Sequence, residues 1–130
     1  MPFVRVTVFA PELSQQQIER LYNRTTALMV DGMRKPLEGV AVLVDHVQRG
    51  AWRIGGKDVT VGAEVDAIIG AASNTPQEKA NFMAGMMSLL SETLGVGLSV
   101  ETYIVIHEMP RDSYGRGGLS RAERDRRNAA

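Results

Sequence analysis

Ser14-Gln-Gln-Gln17 and Thr75-Pro-Gln-Glu78 decide how this chain is read, because each has the form of a helix start and each stands in the same sequence of elements. In both, a hydroxyl residue able to cap a helix is followed three positions later by Gln or Glu, whose side chain can reach back to the cap. Pro76 occupies the first helical position of the second copy, where its missing N–H is harmless. Behind each start runs an amphipathic stretch of about five turns. Its three-then-four spacing assigns Ile18, Leu21, Tyr22, Thr25, Leu28 and Met29 to the buried face of the first helix. The same spacing assigns Phe82, Met83, Met86, Met87, Leu90 and Leu94 to that of the second. The methionine cluster reads as core packing in preference to an adaptable binding surface.

Outward from the helices, each is preceded by one apolar strand and followed by another. These are Phe3–Phe9 and Val40–Val44 in the first half, Val65–Ile69 and Thr102–Ile106 in the second. Each half closes on an aromatic residue and a glycine pair, Trp52-Arg-Ile-Gly-Gly56 and Tyr114-Gly-Arg-Gly-Gly118, which are expected to turn into short hairpins. Cap, helix, strand, aromatic and diglycine all coincide when one half is laid on the other. The chain is therefore a tandem β-α-β duplication within one domain, residues 1–130, with repeats at about 2–61 and 62–119 and a charged tail at 120–130. Such units have right-handed crossovers and parallel strands. The expected fold class is α+β: a four-stranded mixed sheet with two helices on one face. The opposite face would be bare although its strands are nearly continuous apolar runs, such as Val40-Ala-Val-Leu-Val44. An exposed apolar sheet marks an interface, so an oligomer is expected.

Composition removes several classes of function. Fifteen basic residues balance fifteen acidic ones, so no net charge draws the chain to nucleic acid or to a membrane surface. There is no cysteine, which excludes disulfides, thiol catalysis and thiolate metal sites. Without a basic leader or a long apolar run, a soluble cytoplasmic protein is expected. His46 and His107 each follow an apolar strand and read as structural; two such distant histidines make no metal site. Arg121, Arg124, Arg126 and Arg127 in the tail, interleaved with Glu123 and Asp125, read as a solvated or frayed helix.

Pro2 remains. Once Met1 is removed, proline is the N-terminal residue and its nitrogen is a free secondary amine without amide resonance. An α-amino group titrates near pH ~8. Modest desolvation or a neighbouring cation can leave it neutral and able to serve as a general base or nucleophile. With Met1 retained, the same nitrogen is an amide and can do neither.

Pro2 behind Met1, a β-α-β unit of this length and an ending of the form aromatic-x-Ile-Gly-Gly resemble the tautomerase superfamily, most closely its 4-oxalocrotonate tautomerase group. The half Pro2–Gly56 follows that short subunit almost throughout, and Ile106-His-Glu-Met109 through Gly118 resembles its second-strand-to-hairpin segment. The chain looks like a fused form, two subunits joined head to tail. The resemblance implies a homotrimer with three proline sites, because the position matching Pro2 in the second half is Ala63. It also implies a cofactor-independent isomerase, without metal, that converts enol or 2-hydroxydienoate acids to 2-oxo acids with the proline as base. The substrate would be a small carboxylate.

Two family arginines that hold the substrate carboxylate are missing. One position falls on Ala41 and Tyr103, the other near Glu12 or Leu13 and on Ser73. Arg116 is the first replacement, since its position lines the pocket in relatives and a guanidinium can hold a carboxylate bidentately. Arg111, Arg5 and Arg53 are weaker choices, and Arg5, alternating with Val4 and Val6, is expected to form a surface salt bridge. The resemblance assigns catalysis to Pro2, Arg116 and Tyr103, and substrate binding to Trp52, Tyr114, Ile54, Ser73 and Arg111. Asn74 reads as a turn residue. Tyr103 also raises a proline-dependent hydratase, dehalogenase or decarboxylase as an alternative, and the lost arginines raise a non-catalytic trimeric ligand-binding protein.

Overall fold

A computed structural model describes residues 2–129. β1 (Phe3–Phe9) buries Val4, Val6 and Val8 and turns Phe3, Arg5, Thr7 and Phe9 to the other face, the alternation of a strand packed on one side. The Ser14 hydroxyl then accepts from the Gln17 N–H, and the Gln17 side chain accepts from the Ser14 N–H. This reciprocal cap starts α1 (Gln15–Ala27), which passes into a wide π turn, Leu28–Gly32. β2 is Ala41–Val47, and a hairpin of β3 (Arg53–Ile54) and β4 (Lys57–Asp58) ends the half. The second half repeats it: β5 (Gly62–Gly70), α2 (Pro76–Leu94) behind the same reciprocal cap at Thr75 and Glu78, β6 (Tyr103–Met109), then β7 (Gly115–Arg116) and β8 (Leu119–Ser120). Both hairpins turn on two glycines of positive φ, Gly55 and Gly56, then Gly117 and Gly118, the conformation a tight two-residue turn requires.

The sheet order is β2-β1-β5-β6. β1 runs parallel to β2 and β5 parallel to β6, while β1 and β5 meet antiparallel with Val6 opposite Val65. The duplication thus becomes an internal two-fold, and both long helices cover one face. The core joins Val4, Val6, Val8, Val65, Ala67 and Ile69 to Leu21, Met29, Met33, Phe82, Met86, Leu89 and Leu90. The helices approach closely at Gly85, where an added Cβ would lie 2.7 Å from Leu28 Cδ2. Among the described residues no helix is long and apolar enough to cross a membrane.

Three expectations change. On α2 the buried face is Phe82, Met86, Leu89, Leu90 and Thr93, with Met83 exposed and Leu94 only partly covered. The tail does not fray: Arg121–Ala129 forms a third helix, α3. The open sheet face is mixed instead of apolar. Beside Phe3, Leu43 and Val105 it carries Arg5, Asp45, Glu64, Asp66 and His107, because the outer strands alternate as strictly as the inner ones. His107 Nε2 lies 2.7 Å from Asp66 Oδ1, and His46 Nε2 lies 3.0 Å from the Ala10 carbonyl.

Burial and a hydrogen bond to Asp66 push the Glu64 carboxyl up to about 7. Asp66 is held low by hydrogen bonds from Glu64 and then His107. A proton held more tightly by the folded than the unfolded state stabilises the fold at low pH, and that stability fades as pH rises. Between about pH 4.5 and 7 the Glu64 contribution therefore declines. Glu64→Gln keeps a donor for Asp66 without titrating. The variant should show a flatter melting-temperature profile than the parent across that window, measured by calorimetry; parallel profiles would contradict the assignment.

Candidate active site

Pro2 is buried at the head of β1, where its carbonyl accepts from the Ala41 N–H at 3.1 Å. The register that sets Phe3 opposite Ala41 on one side and Ile68 on the other, carried back one residue, places Pro2 between Val40 and Ile69. One residue beyond on either side stand Gly39 and Gly70, and both line a cavity of about 430 Å³. Pro2 itself is buried and is not one of the lining residues, so the N-terminal end of β1 stands beside this cavity.

Its other walls come from both halves. Arg34, Lys35, Pro36 and Glu38 belong to the segment between α1 and β2; Ser73 belongs to the loop before α2; Tyr114, Arg116 and Leu119 come from the second hairpin. Arg121 and Arg124 reach in from α3. Tyr114 lies directly over Gly70, where an added Cβ would stand 2.3 Å from its hydroxyl oxygen. Only glycine leaves that space.

Two residues in left-handed backbone conformation shape the floor. Arg34 has φ 57° and Ala72 has φ 61°, unusual for residues with side chains. Each directly precedes a residue that faces the cavity, Lys35 and Ser73. Lys35 Nζ donates to Ser73 Oγ at 3.0 Å, and that hydroxyl donates to the Gly70 carbonyl at 2.6 Å. Arg34 clamps the two segments by donating to Glu78 and to the Ser73 carbonyl. Asn74 adds a bond from Nδ2 to the Met33 carbonyl at 2.9 Å, so this turn residue also ties the halves together. Arg34 and the Thr75 N–H hold the Glu78 carboxyl down to about 2. Burial, then the Arg34 charge, lowers the Lys35 ammonium pKa; Glu78 opposes this and Arg121 adds to it.

The residues expected at the site divide between the two ends of the sheet. Pro2, Ser73, Tyr114 and Arg116 share the cavity end. Trp52 covers Gly62, where an added Cβ would come within 2.7 Å of the indole, and its ring stands 6.1 Å from that of Phe9. Trp52 and the neighbouring Ile54 thus belong to the Ala63 end of β5. Tyr103, opposite Glu64, also lies near that end; it is exposed and donates to Glu101. At ~3.3 Å per residue, the length of β5 separates the ends by about 25 Å. Arg111 pairs with Asp125 of α3 and does not line the cavity.

Lys35, Arg34, Arg121 and Arg124 were not among the expected site residues. A signal for the first two existed. In a β-α-β unit the segment entering the second strand lies beside the start of the first, and Arg34-Lys35-Pro36 is that segment. The two α3 arginines carried no such signal, since a charged tail reads as solvated.

The profile of the tautomerase enzyme family matches the chain twice, over residues 2–62 and 65–124. A probable tautomerase K2 from Dickeya dadantii (strain 3937) is 33% identical over 60 residues, 46% of this chain and 90% of that protein. The crystal structure of Pt0534 inactivated by 2-oxo-3-pentynoate superposes with a TM-score of 0.81 at 21% identity, over 92% of this chain and 97% of that one. A Q0 fused 4-OT wild-type symmetric trimer gives 0.81 at 18% identity, over 94% and 98%. At these identities the structural likenesses establish the fold.

Proposed function

We propose, from the premise that the chain belongs to the tautomerase family, that Pro2 is the general base of a cofactor-independent tautomerase acting on small unsaturated 2-hydroxy acids. The observation that carries this reading is the position of Pro2, at the strand end flanked by two glycines of a cationic cavity. The Pro2 amine takes the proton of the substrate enol and returns it to a carbon of the conjugated system, leaving the 2-oxo acid. Lys35, Ser73 and Arg116 hold the carboxylate in place of the arginines absent at Ala41 and Ser73. Their positive field disfavours protonation of the amine, and Tyr114 forms the wall. Removal of Met1, which frees the amine, concerns a residue outside those described.

The trimeric state of the fused 4-OT neighbour supports a homotrimer. In such an assembly Tyr103, Trp52 and Ile54 reach a Pro2 site only from an adjoining chain. The hydratase, dehalogenase and decarboxylase readings have less support, because the positions that such relatives fill with two arginines and a carboxylate hold Gly70, Ser73 and Arg116 here.

The test is ketonisation of phenylenolpyruvate by protein whose intact mass shows Pro2 at the N-terminus. A 2-oxo-3-alkynoate such as 2-oxo-3-pentynoate supplies a second reading. An unprotonated proline nitrogen adds to the activated triple bond, forming a C–N bond while its proton moves to the adjacent carbon. One inhibitor mass per chain is expected, confined to the N-terminal peptide. Absence of turnover together with an unlabelled N-terminus favours a binding protein.

A further inference from the structure

The chain has three lysines, and one of them, Lys35, lines the cavity beside Pro2. Its surroundings differ from those of the other two. Lys57 is exposed on β4, and Lys79 on α2 donates to the Glu108 carboxylate at 2.7 Å. Lys35 is half-buried, and among the described residues no carboxylate stands within ion-pair range of it. Glu78, the acid whose charge reaches Lys35, is taken up by Arg34.

The groups that share its cavity are mostly cations. Arg34 precedes Lys35 in the chain, Arg116 comes from the second hairpin, and Arg121 and Arg124 come from α3; against them the lining sets one acid, Glu38. Burial first, then the charges of Arg34 and Arg121, favour loss of a proton from Lys35. A lysine that is desolvated and set beside other cations is activated as a nucleophile. Ser73 adds a route for the protons. Its hydroxyl accepts from Lys35 Nζ at 3.0 Å and donates to the Gly70 carbonyl at 2.6 Å. The pair is held from both sides, by Arg34 on the Ser73 carbonyl and by Asn74 on the Met33 carbonyl.

We propose that Lys35 is a reactive amine, whose neutral form adds to the carbonyl carbon of a small 2-oxo acid and captures it as an imine. The nitrogen lone pair forms the C–N bond, and one amine proton moves to the carbonyl oxygen to give a carbinolamine. The second amine proton leaves with that oxygen as water, and the C=N bond remains. Ser73 relays these protons, and water reverses the reaction. The ammonium form of the same side chain holds a carboxylate, whereas the amine form bonds to a carbonyl. The step requires nothing of Pro2, so it stands apart from the reading of Pro2 as the base.

The test treats the protein with pyruvate and sodium cyanoborohydride at neutral pH. The hydride reduces an imine to a stable secondary amine, which peptide mapping by mass locates. Lys35 should carry several-fold more label than Lys57 or Lys79. Limiting propanal, which has no carboxylate, should show the same order, because the preference lies in the amine. An N-terminal extension that converts the Pro2 nitrogen to an amide should leave the labelling of Lys35 in place. Ser73→Ala should cut the label on Lys35 several-fold and leave that on Lys57 and Lys79 unchanged. Arg121→Gln removes a charge that disfavours the ammonium, so the pH at which Lys35 labelling is half-maximal should move upward. Equal labelling of the three lysines, or a half-maximal pH for Lys35 no lower than that for Lys57, overturns the proposal.

Discussion

Replacing Pro2 by alanine should lower kcat/KM for phenylenolpyruvate by about 10²–10⁴-fold, the span attributable to a positioned acid–base group. Alanine keeps an α-amino nitrogen but loses both the secondary amine and the ring that fixes the direction of its lone pair. The strand itself should persist. The Pro2 carbonyl bond from Ala41 is made by backbone and the core beneath begins at Val4, so the melting temperature should change little. A second variant separates chemistry from packing. An N-terminal extension keeps the proline ring but converts its nitrogen to a tertiary amide, which has no basic lone pair. Both variants should lose activity alike; an extended protein that retains full turnover rules out the amine as base.

Lys35→Met should be the next largest effect, a fall in kcat/KM of about 10- to 100-fold, the range expected when a charged hydrogen bond to a bound ion is removed. The Lys35 ammonium has three donors and spends one on Ser73 Oγ, leaving the others for a carboxylate. Its pKa is lowered mainly because burial costs the charged form. A bound anion relieves that cost, and in doing so becomes better held. The loss should fall mostly on KM, and Lys35→Arg should restore part of it. A variant with unchanged KM would mean the carboxylate is held by Arg116 without Lys35.

The fold was largely legible in the chain because its signals are local. The two reciprocal caps follow from residues three apart, and the hairpins follow from glycine pairs that must take positive φ. Errors arose where a local pattern was ambiguous. On α2, methionine occupies positions 83, 86 and 87, so composition alone does not fix which stripe faces inward; packing against α1, where the Thr25 hydroxyl meets the Met86 sulfur, buries Met86 and leaves Met83 outside. On β2, Val40–Val44 reads as a continuous apolar run, yet Ala41 and Leu43 point away from the helices and Asp45 follows them.

The site was legible only in part. Pro2 was legible from its place behind Met1, and Ser73, Tyr114 and Arg116 from laying the family's positions on each half. The same matching grouped Trp52 with Tyr114, and there the antiparallel pairing of β1 with β5 intervenes. It turns the halves end for end, so the two hairpins cover opposite ends of β5. Trp52 serves the Ala63 end and Tyr114 the Pro2 end. Lys35, Arg121 and Arg124 meet only after distant segments dock, which no short-range spacing records.

The two aromatic-over-glycine ends of β5 also determine how this scaffold can change. In an oligomer of identical short subunits, symmetry copies every substitution into every equivalent position. Joining two units in one polypeptide lifts that constraint. A residue altered near Gly62 is not repeated near Gly70, so one end can accumulate changes while the other is held by selection. The Ala63 end, without a terminal amine, can thus change in sequence separately from the cavity beside Pro2 in the same chain. It offers a place to install a different ligand or chemistry without redesigning the existing one.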